Sequence, residues 1–235
     1  IVKDVVDAVN FKVNGGQGSD GQVLTSTGSG VGWEDASGGA SDIDGLSDCL
    51  VENNSMWLGN DPSGTTDTAE YNIGVGLNAL GVITTGDNNT CIGSGAGDAI
   101  TTGSGNIAIG AFSGTNCSTG GENVTIGRWA GSGISTDSSY NVYIGTFAGY
   151  LVGNSGTSNY NTAVGYEAMG SSGGGSQNTS VGPRAGRSIN INGNDNTSLG
   201  VNAGYSVTTG DQNVCIGAGA GNGGGVNSHT ALTTG

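Results

Sequence analysis

The chain has 235 residues, of which fifty are Gly and two Pro, with three Phe, three Trp, seven Tyr and a formal net charge of -14. An acidic chain with no basic stripe offers phosphate no electrostatic footprint, which excludes nucleic acid as a partner. No apolar run approaches the ~20 residues needed to cross a bilayer, so no membrane insertion is expected, and Gly without a G-X-Y period excludes collagen.

Residues 1–17 read as a lead segment arriving from an upstream shaft. Ile1, Val2, Val5, Val6 and Val9 keep helix-like spacing, then Phe11 and Val13 alternate as in a strand. Gly15 to Asp20 matches only the opening of a calcium-binding nonapeptide, with Gly21 where a large apolar residue belongs, so no metal is expected. Residues 18–40 predict a β-hairpin module: Gln22 to Thr27 and Val31 to Asp35 flank Gly28, Ser29 and Gly30, with Val23 and Trp33 as apolar members. Residues 41–54 continue an acid-rich run without a base and read as a solvated linker.

From 55 to 226 the chain repeats itself. An Asn recurs at Asn72, Asn89, Asn106, Asn123, Asn141, Asn161, Asn178, Asn196 and Asn213, at steps of 17, 17, 17, 18, 20, 17, 18 and 17 residues. Three residues after each Asn stands an aliphatic: Val75, Ile92, Ile109, Ile126, Ile144, Val164, Val181, Leu199 and Ile216. Four after it stands Gly in every copy, as at Gly93 and Gly110, and seven after it eight Ala and Ser113. Residues 55–59 keep the aliphatic and the Gly but carry Ser55 in the Asn slot, as a capping coil would. Residues 227–235 read as a frayed or truncated end, and the final Thr-Thr-Gly, which elsewhere leads into a copy, suggests a segment of a longer polypeptide.

A short alternating run closed by Gly at a fixed period predicts an all-β fold, a parallel β-solenoid or β-roll of about ten 17-residue coils. In this reading the aliphatic builds the core, Gly turns the corner, small residues allow close contact, and the Asn side chains form a structural ladder. Two aliphatics and an Ala per coil make a thin core, so several chains are expected to share it, as a homotrimer.

Copies such as Asn161-Thr162-Ala163-Val164-Gly165-Tyr166-Glu167-Ala168 and Asn89-Thr90-Cys91-Ile92-Gly93-Ser94-Gly95-Ala96 resemble the N-x-A-I-G-x-x-A repeats of two groups. One is the β-roll head of trimeric autotransporter adhesins; the other is the repeat region of bacteriophage tail fibres, particularly those of marine and cyanobacterial viruses. The resemblance covers residues 55 to 221. At the front, Gly21 to Trp33 and Ile43 to Asp48 are similar to virion shaft modules, which favours the phage group. The resemblance implies an extracellular, trimeric fibre segment that extends toward or contacts a host cell surface. The alternative is the head of a bacterial cell-surface adhesin. An ice-binding solenoid would need an unbroken Thr array, whereas the slot after the Asn reads Ile, Thr, Ile, Val, Val, Thr, Thr, Thr, Val.

Among candidate sites, Phe112, Trp129 and Phe147 fall six after the Asn in consecutive copies, with Arg128 and Tyr143 nearby. These five residues read either as a glycan-binding strip or as a chain-chain contact. Cys49, Cys91, Cys117 and Cys215 lack C-x-x-C spacing and read as structural thiols, and Asp87, Asp195 and Asp211 as turn formers. The single His229 falls in the frayed end, far from the cysteines, and the carboxylates of the repeats are isolated in loops, so neither catalysis nor a cofactor is expected. The partners this reading leaves are further copies of the chain and a host-surface glycan or protein.

Overall fold

A computed structural model describes residues 22–26, 31–35, 49–59, 62, 65–152, 156–171, 175–188, 193–207 and 210–222. The lead segment, the calcium-like Gly15 to Asp20 and the 227–235 end lie outside them. The chain divides into two units, residues 1–47 and 48–235. In the first, β1 (Gln22–Ser26) pairs antiparallel with β2 (Val31–Asp35), Leu24 opposite Trp33.

The second unit is all-β, with no helix among its described residues: a parallel β-solenoid of about nine turns. Its sheet begins with β3 (Cys49–Glu52) and β4 (Ser55–Leu58), paired antiparallel through Asn53 and Asn54 at φ 46 and 57, the geometry of a type I′ turn. The end of the expected 41–54 linker is therefore strand at residues 49–52, with Leu50 and Val51 opposite Trp57 and Met56, and turn at Asn53 and Asn54. From β4 onward every pairing is parallel: β5 (Ile73–Val75), β6 (Thr90–Ile92), β7 (Ile107–Ile109), β8 (Val124–Ile126), β9 (Val142–Ile144), β10 (Thr162–Val164), β11 (Thr179–Val181), β12 (Thr197–Leu199) and β13 (Val214–Ile216). Each strand pairs in register with the same slots of the next coil.

Both strand ends have a backbone cause. The residue before each Asn is left-handed, as at Tyr140 (φ 63) and Tyr160 (φ 58), which bends the chain into the strand. Gly93, four after Asn89, has φ 134, and a Cβ there would sit 2.7 Å from the carbonyl carbon of Gly110 on the next coil. Only Gly meets both conditions, and the same contact recurs up the column.

The strand faces are opposite to the expectation. The residue two after the Asn points into the roll: Gly74, Cys91, Ala108, Thr125, Tyr143, Ala163, Ser180, Ser198 and Cys215 are all buried. The aliphatics one and three after it point out, and none of them is buried; Leu199 is 46% exposed and Ile216 53%. The inward strand slot holds mostly small side chains because larger apolar groups from the turns, such as Ile83, Ile100 and Ile134, fill the rest of the interior, and the strand's own β-branched residues occupy the outer face.

The interior is completed by the Ala row and by a row eleven after the Asn, Ile83, Ile100, Cys117, Ile134 and Val152. Substitutions in facing slots compensate one another. Ser113, in the Ala column, donates to Thr125 O at 2.8 Å and lies 2.9 Å from Thr125 Oγ1, so two hydroxyls replace two methyls as a pair. At the first coil Trp57 fills the interior, and Gly74 above it makes the room, since a Cβ there would lie 2.8 Å from Trp57 Cδ1.

Candidate functional site

The Asn residues form a continuous hydrogen-bonded column. Asn89 donates its backbone N–H (2.9 Å) and its Nδ2–H (3.1 Å) to Asn72 Oδ1, and its Nδ2 also donates to Gly103 O at 2.9 Å. The pattern passes through Asn106, Asn123, Asn141, Asn161, Asn178 and Asn196 to Asn213. Ser55 starts it, its Oγ accepting from Asn72 N at 2.8 Å. From Asn72 to Asn196 the side chains are buried, so the column is architecture and offers no ligand a polar group.

The five residues of the candidate strip divide. Phe112, Arg128, Trp129 and Phe147 lie on the turn that follows the corner Gly, none of them fully buried. Tyr143 is not part of the strip. It stands two after Asn141, between two outward slots, and is therefore fully buried inside the roll, where its hydroxyl donates to Asn141 Oδ1 at 3.3 Å. Burial pushes its phenol up from the ordinary value.

Phe112 and Trp129 stack with ring centroids 4.6 Å apart at 20°. Beyond them the column changes partner: Trp129 and Phe147 each meet Tyr150 edge-on, at 6.0 and 5.2 Å, and Phe147 meets Tyr166 edge-on at 6.4 Å. The same sixth slot continues as Glu167 and Arg184, and all of its side chains sit on left-handed backbone: Phe112 (φ 56), Trp129 (φ 60), Phe147 (φ 59), Glu167 (φ 53) and Arg184 (φ 56). A bulky residue there is unusual, since Gly or Asn adopts the conformation at lower cost.

Glu167 Oε2 accepts from Arg184 Nε and Arg187 Nε, each at 3.0 Å. Burial alone would raise this carboxyl; hydrogen bonding from Tyr166 and Arg184 and the charges of both arginines outweigh it and hold the group below its usual range. Arg187 Nη1 donates to the Tyr205 hydroxyl at 3.0 Å, and Arg184 lies 5.8 Å from the Tyr166 ring centre. These residues escape sequence reading because their charges stand 17 and 3 apart; only the slots, six and nine after the Asn, bring them together. A second aromatic pair, Tyr140 and Tyr160, is stacked at 5.0 Å and 2°, exposed at the residue before the Asn.

Cys91, Cys117 and Cys215 are free and buried. Burial pushes the Cys91 thiol to about 12 and the Cys117 thiol to about 11. Among the described residues no group of three or more His, Cys, Asp or Glu is placed to hold a metal ion, and no helix is long and apolar enough to cross a membrane. Comparison with family models, with curated proteins and with solved structures finds no match.

Proposed function

We propose that the chain is a structural and adhesive segment of a homotrimeric, extracellular fibre, a phage tail fibre that extends toward or contacts the host cell surface. The observation that carries this is the outer sheet face. From β4 to β13 it presents two rows of Met, Ile, Val, Leu and Thr to solvent, one residue of each row per coil. Scattered apolar residues on a surface need no explanation, but a contiguous apolar strip that runs the length of a sheet does.

Packing that strip against the same strip of parallel copies buries every row at once, because each copy carries the same slots at the same rise of ~4.8 Å per coil. The outward aliphatics then form a core shared between chains. The resemblance of the repeats to those of trimeric rolls supports three chains. A hairpin module before the solenoid, residues 18–40, fits a shaft built from consecutive modules. A bacterial adhesin head uses the same construction, and flanking sequence separates the two: a baseplate-binding module or chaperone means phage, a membrane-anchor barrel means adhesin.

Light scattering at micromolar concentration tests the reading. The expected mass is three times the 22.8 kDa of one chain. Ile126→Asp combined with Ile144→Asp places charges on two consecutive rungs of the outer face and should yield monomers with an unchanged β-sheet spectrum. A wild-type chain that is folded and monomeric refutes the trimer, and arrest of ice growth by such a monomer would move the outer face to a different function.

A further inference from the structure

A cleft of about 300 Å³ opens on the turn side of coils 141, 161 and 178, lined by Phe147, Tyr150, Glu167, Ser171 and Arg187 among others. No strand residue contributes to it, so covering the outer sheet face uses none of its wall. We propose that this cleft binds an acidic saccharide, with a sugar ring against Phe147 and Tyr150 and its carboxylate on Arg187, Arg184 adding its charge from beside the lining Glu167. The proposal deepens the surface-contact part of the fibre reading and rests on it.

Three observations converge. First, the aromatic wall is held edge to face, Phe147 to Tyr150 at 5.2 Å and 87°, beside a carboxylate and a hydroxyl. Apolar ring faces with a few polar groups at their rim suit a pyranose, which has C–H faces and an equatorial belt of hydroxyls.

Second, charge is concentrated against the trend of the molecule. The chain carries -14 overall, yet of its three Arg one, Arg187, lines this cleft and a second, Arg184, meets it on the lining Glu167, a local surplus of one positive charge. After the bonds to Glu167 and Tyr205, Arg187 keeps three of its five N–H donors and Arg184 keeps four. Planar donor pairs of this kind match a carboxylate in two-point geometry.

Third, stability does not account for the residues present. Exposed ion pairs contribute about 0–1 kcal/mol, whereas a non-Gly residue in left-handed backbone costs about 1 kcal/mol or more. Phe147, Glu167 and Arg184 all carry that cost in a slot where other copies hold Gly95 or Gly219. A ligand accounts for Phe147 and Glu167 on the wall of the cleft and for Arg184 on the next coil, bonded to Glu167.

Saturation-transfer NMR and titration calorimetry on the full chain in its native assembly test this, with trigalacturonate, a mannuronate trisaccharide and sialyllactose as acidic ligands and maltotriose as the uncharged control. At least one acidic ligand should bind about ten-fold or more tighter than maltotriose, with the preference falling as salt rises. Phe147→Ala should abolish binding of both kinds. Arg187→Gln should reduce the acidic preference to about two-fold or less while the sheet spectrum and the mass stay unchanged. Absence of binding by every acidic ligand, equal binding of maltotriose, or an Arg187→Gln variant that keeps the full preference overturns the proposal. Light scattering on the same samples separates the two readings: a trimer that binds nothing overturns the cleft alone, and a monomer that binds with these preferences supports the cleft and overturns the trimer.

Discussion

Asn123→Ala tests whether the amide column holds the coils together. Asn123 Oδ1 accepts from the backbone N–H and the Nδ2–H of Asn141, both at 3.0 Å, and its own Nδ2 donates to Asn106 Oδ1 at 3.0 Å and Ser138 O at 2.9 Å. Removing the amide does not orphan every partner. Asn141 Nδ2 keeps Ser158 O at 2.8 Å, and Asn106 Oδ1 keeps the Asn123 backbone N–H at 3.1 Å. What is lost outright is the acceptor for the buried Asn141 N–H, while Ser138 O is left with the weak Cys117 thiol at 3.4 Å. One orphaned N–H and one poorly served C=O cost about 1–3 kcal/mol each at most, so the variant should lose about 2–4 kcal/mol. Asn213→Ala is the internal control. It bonds to Asn196 Oδ1 at 2.8 Å, but the next slot in the sequence is Thr230, and its loss should cost about 1 kcal/mol. Denaturant titration gives both values, and hydrogen exchange at the Asn141 amide locates the first. Equal losses in the two variants, or a loss below about 0.5 kcal/mol at Asn123, refute the ladder as a source of stability.

Gly93→Ala should destabilise by about 2–3 kcal/mol, because the new Cβ meets the Gly110 carbonyl at 2.7 Å in backbone that L side chains rarely adopt; a thermal scan in which the melting temperature is unchanged counts against the corner assignment. Tyr143→Ala should cost about 3–5 kcal/mol although Ala fills this slot in other coils, since Gly131 and Gly149 beside Tyr143 leave the space open; denaturant midpoints check it. Cys91 and Cys117 ionise at about 12 and about 11 in the fold against 9.0 ordinarily, so the unfolded chain releases their protons first. Their contribution is complete below pH 9 and is lost as pH rises from 9 toward 12. Replacing both by Ala should flatten the stability profile in that window, and the native thiols should resist an aromatic disulfide reagent at pH 8 until denaturant is added.

What was legible in the sequence were the slots that backbone geometry restricts to one residue type. Gly at φ near 130 against a carbonyl, and an amide that must both accept and donate, leave few substitutes, so the Asn and Gly columns and the 17-residue step stand out. Which strand face points inward was not legible, because alternation reveals two faces without saying which is enclosed. β-branched residues mark a buried face in an ordinary domain, but here Ala108 and Ala163 are inside and Ile107 and Val164 outside. Placing Tyr143 in a surface strip followed from the same inversion. The inward row of Ile83, Ile100, Cys117, Ile134 and Val152 sits among turn residues, where no alternation announces it. The cluster of Glu167, Arg184 and Arg187 was hidden because isolated charges acquire a common site only once the coil spacing stacks them.

The inversion also explains where variation is tolerated. A side chain facing inward must fit the one above and below it, as Ser113 fits Thr125 and as Gly131 and Gly149 fit Tyr143. Outward strand slots stay aliphatic or Thr, which restricts them to surfaces that pack. The sixth slot after the Asn is also packed from coil to coil, since a Cβ on Gly95 would lie 2.8 Å from Phe112 Cδ1 and Phe112 stacks on Trp129. It asks for left-handed backbone, a condition Gly95 meets without strain, while five consecutive coils carry Phe112, Trp129, Phe147, Glu167 and Arg184. Contacts between coils account for part of this choice: Phe112 stacks on Trp129, and Glu167 pairs with Arg184. On the proposed reading, recognition is to be sought on the turns and assembly on the outward strand rows.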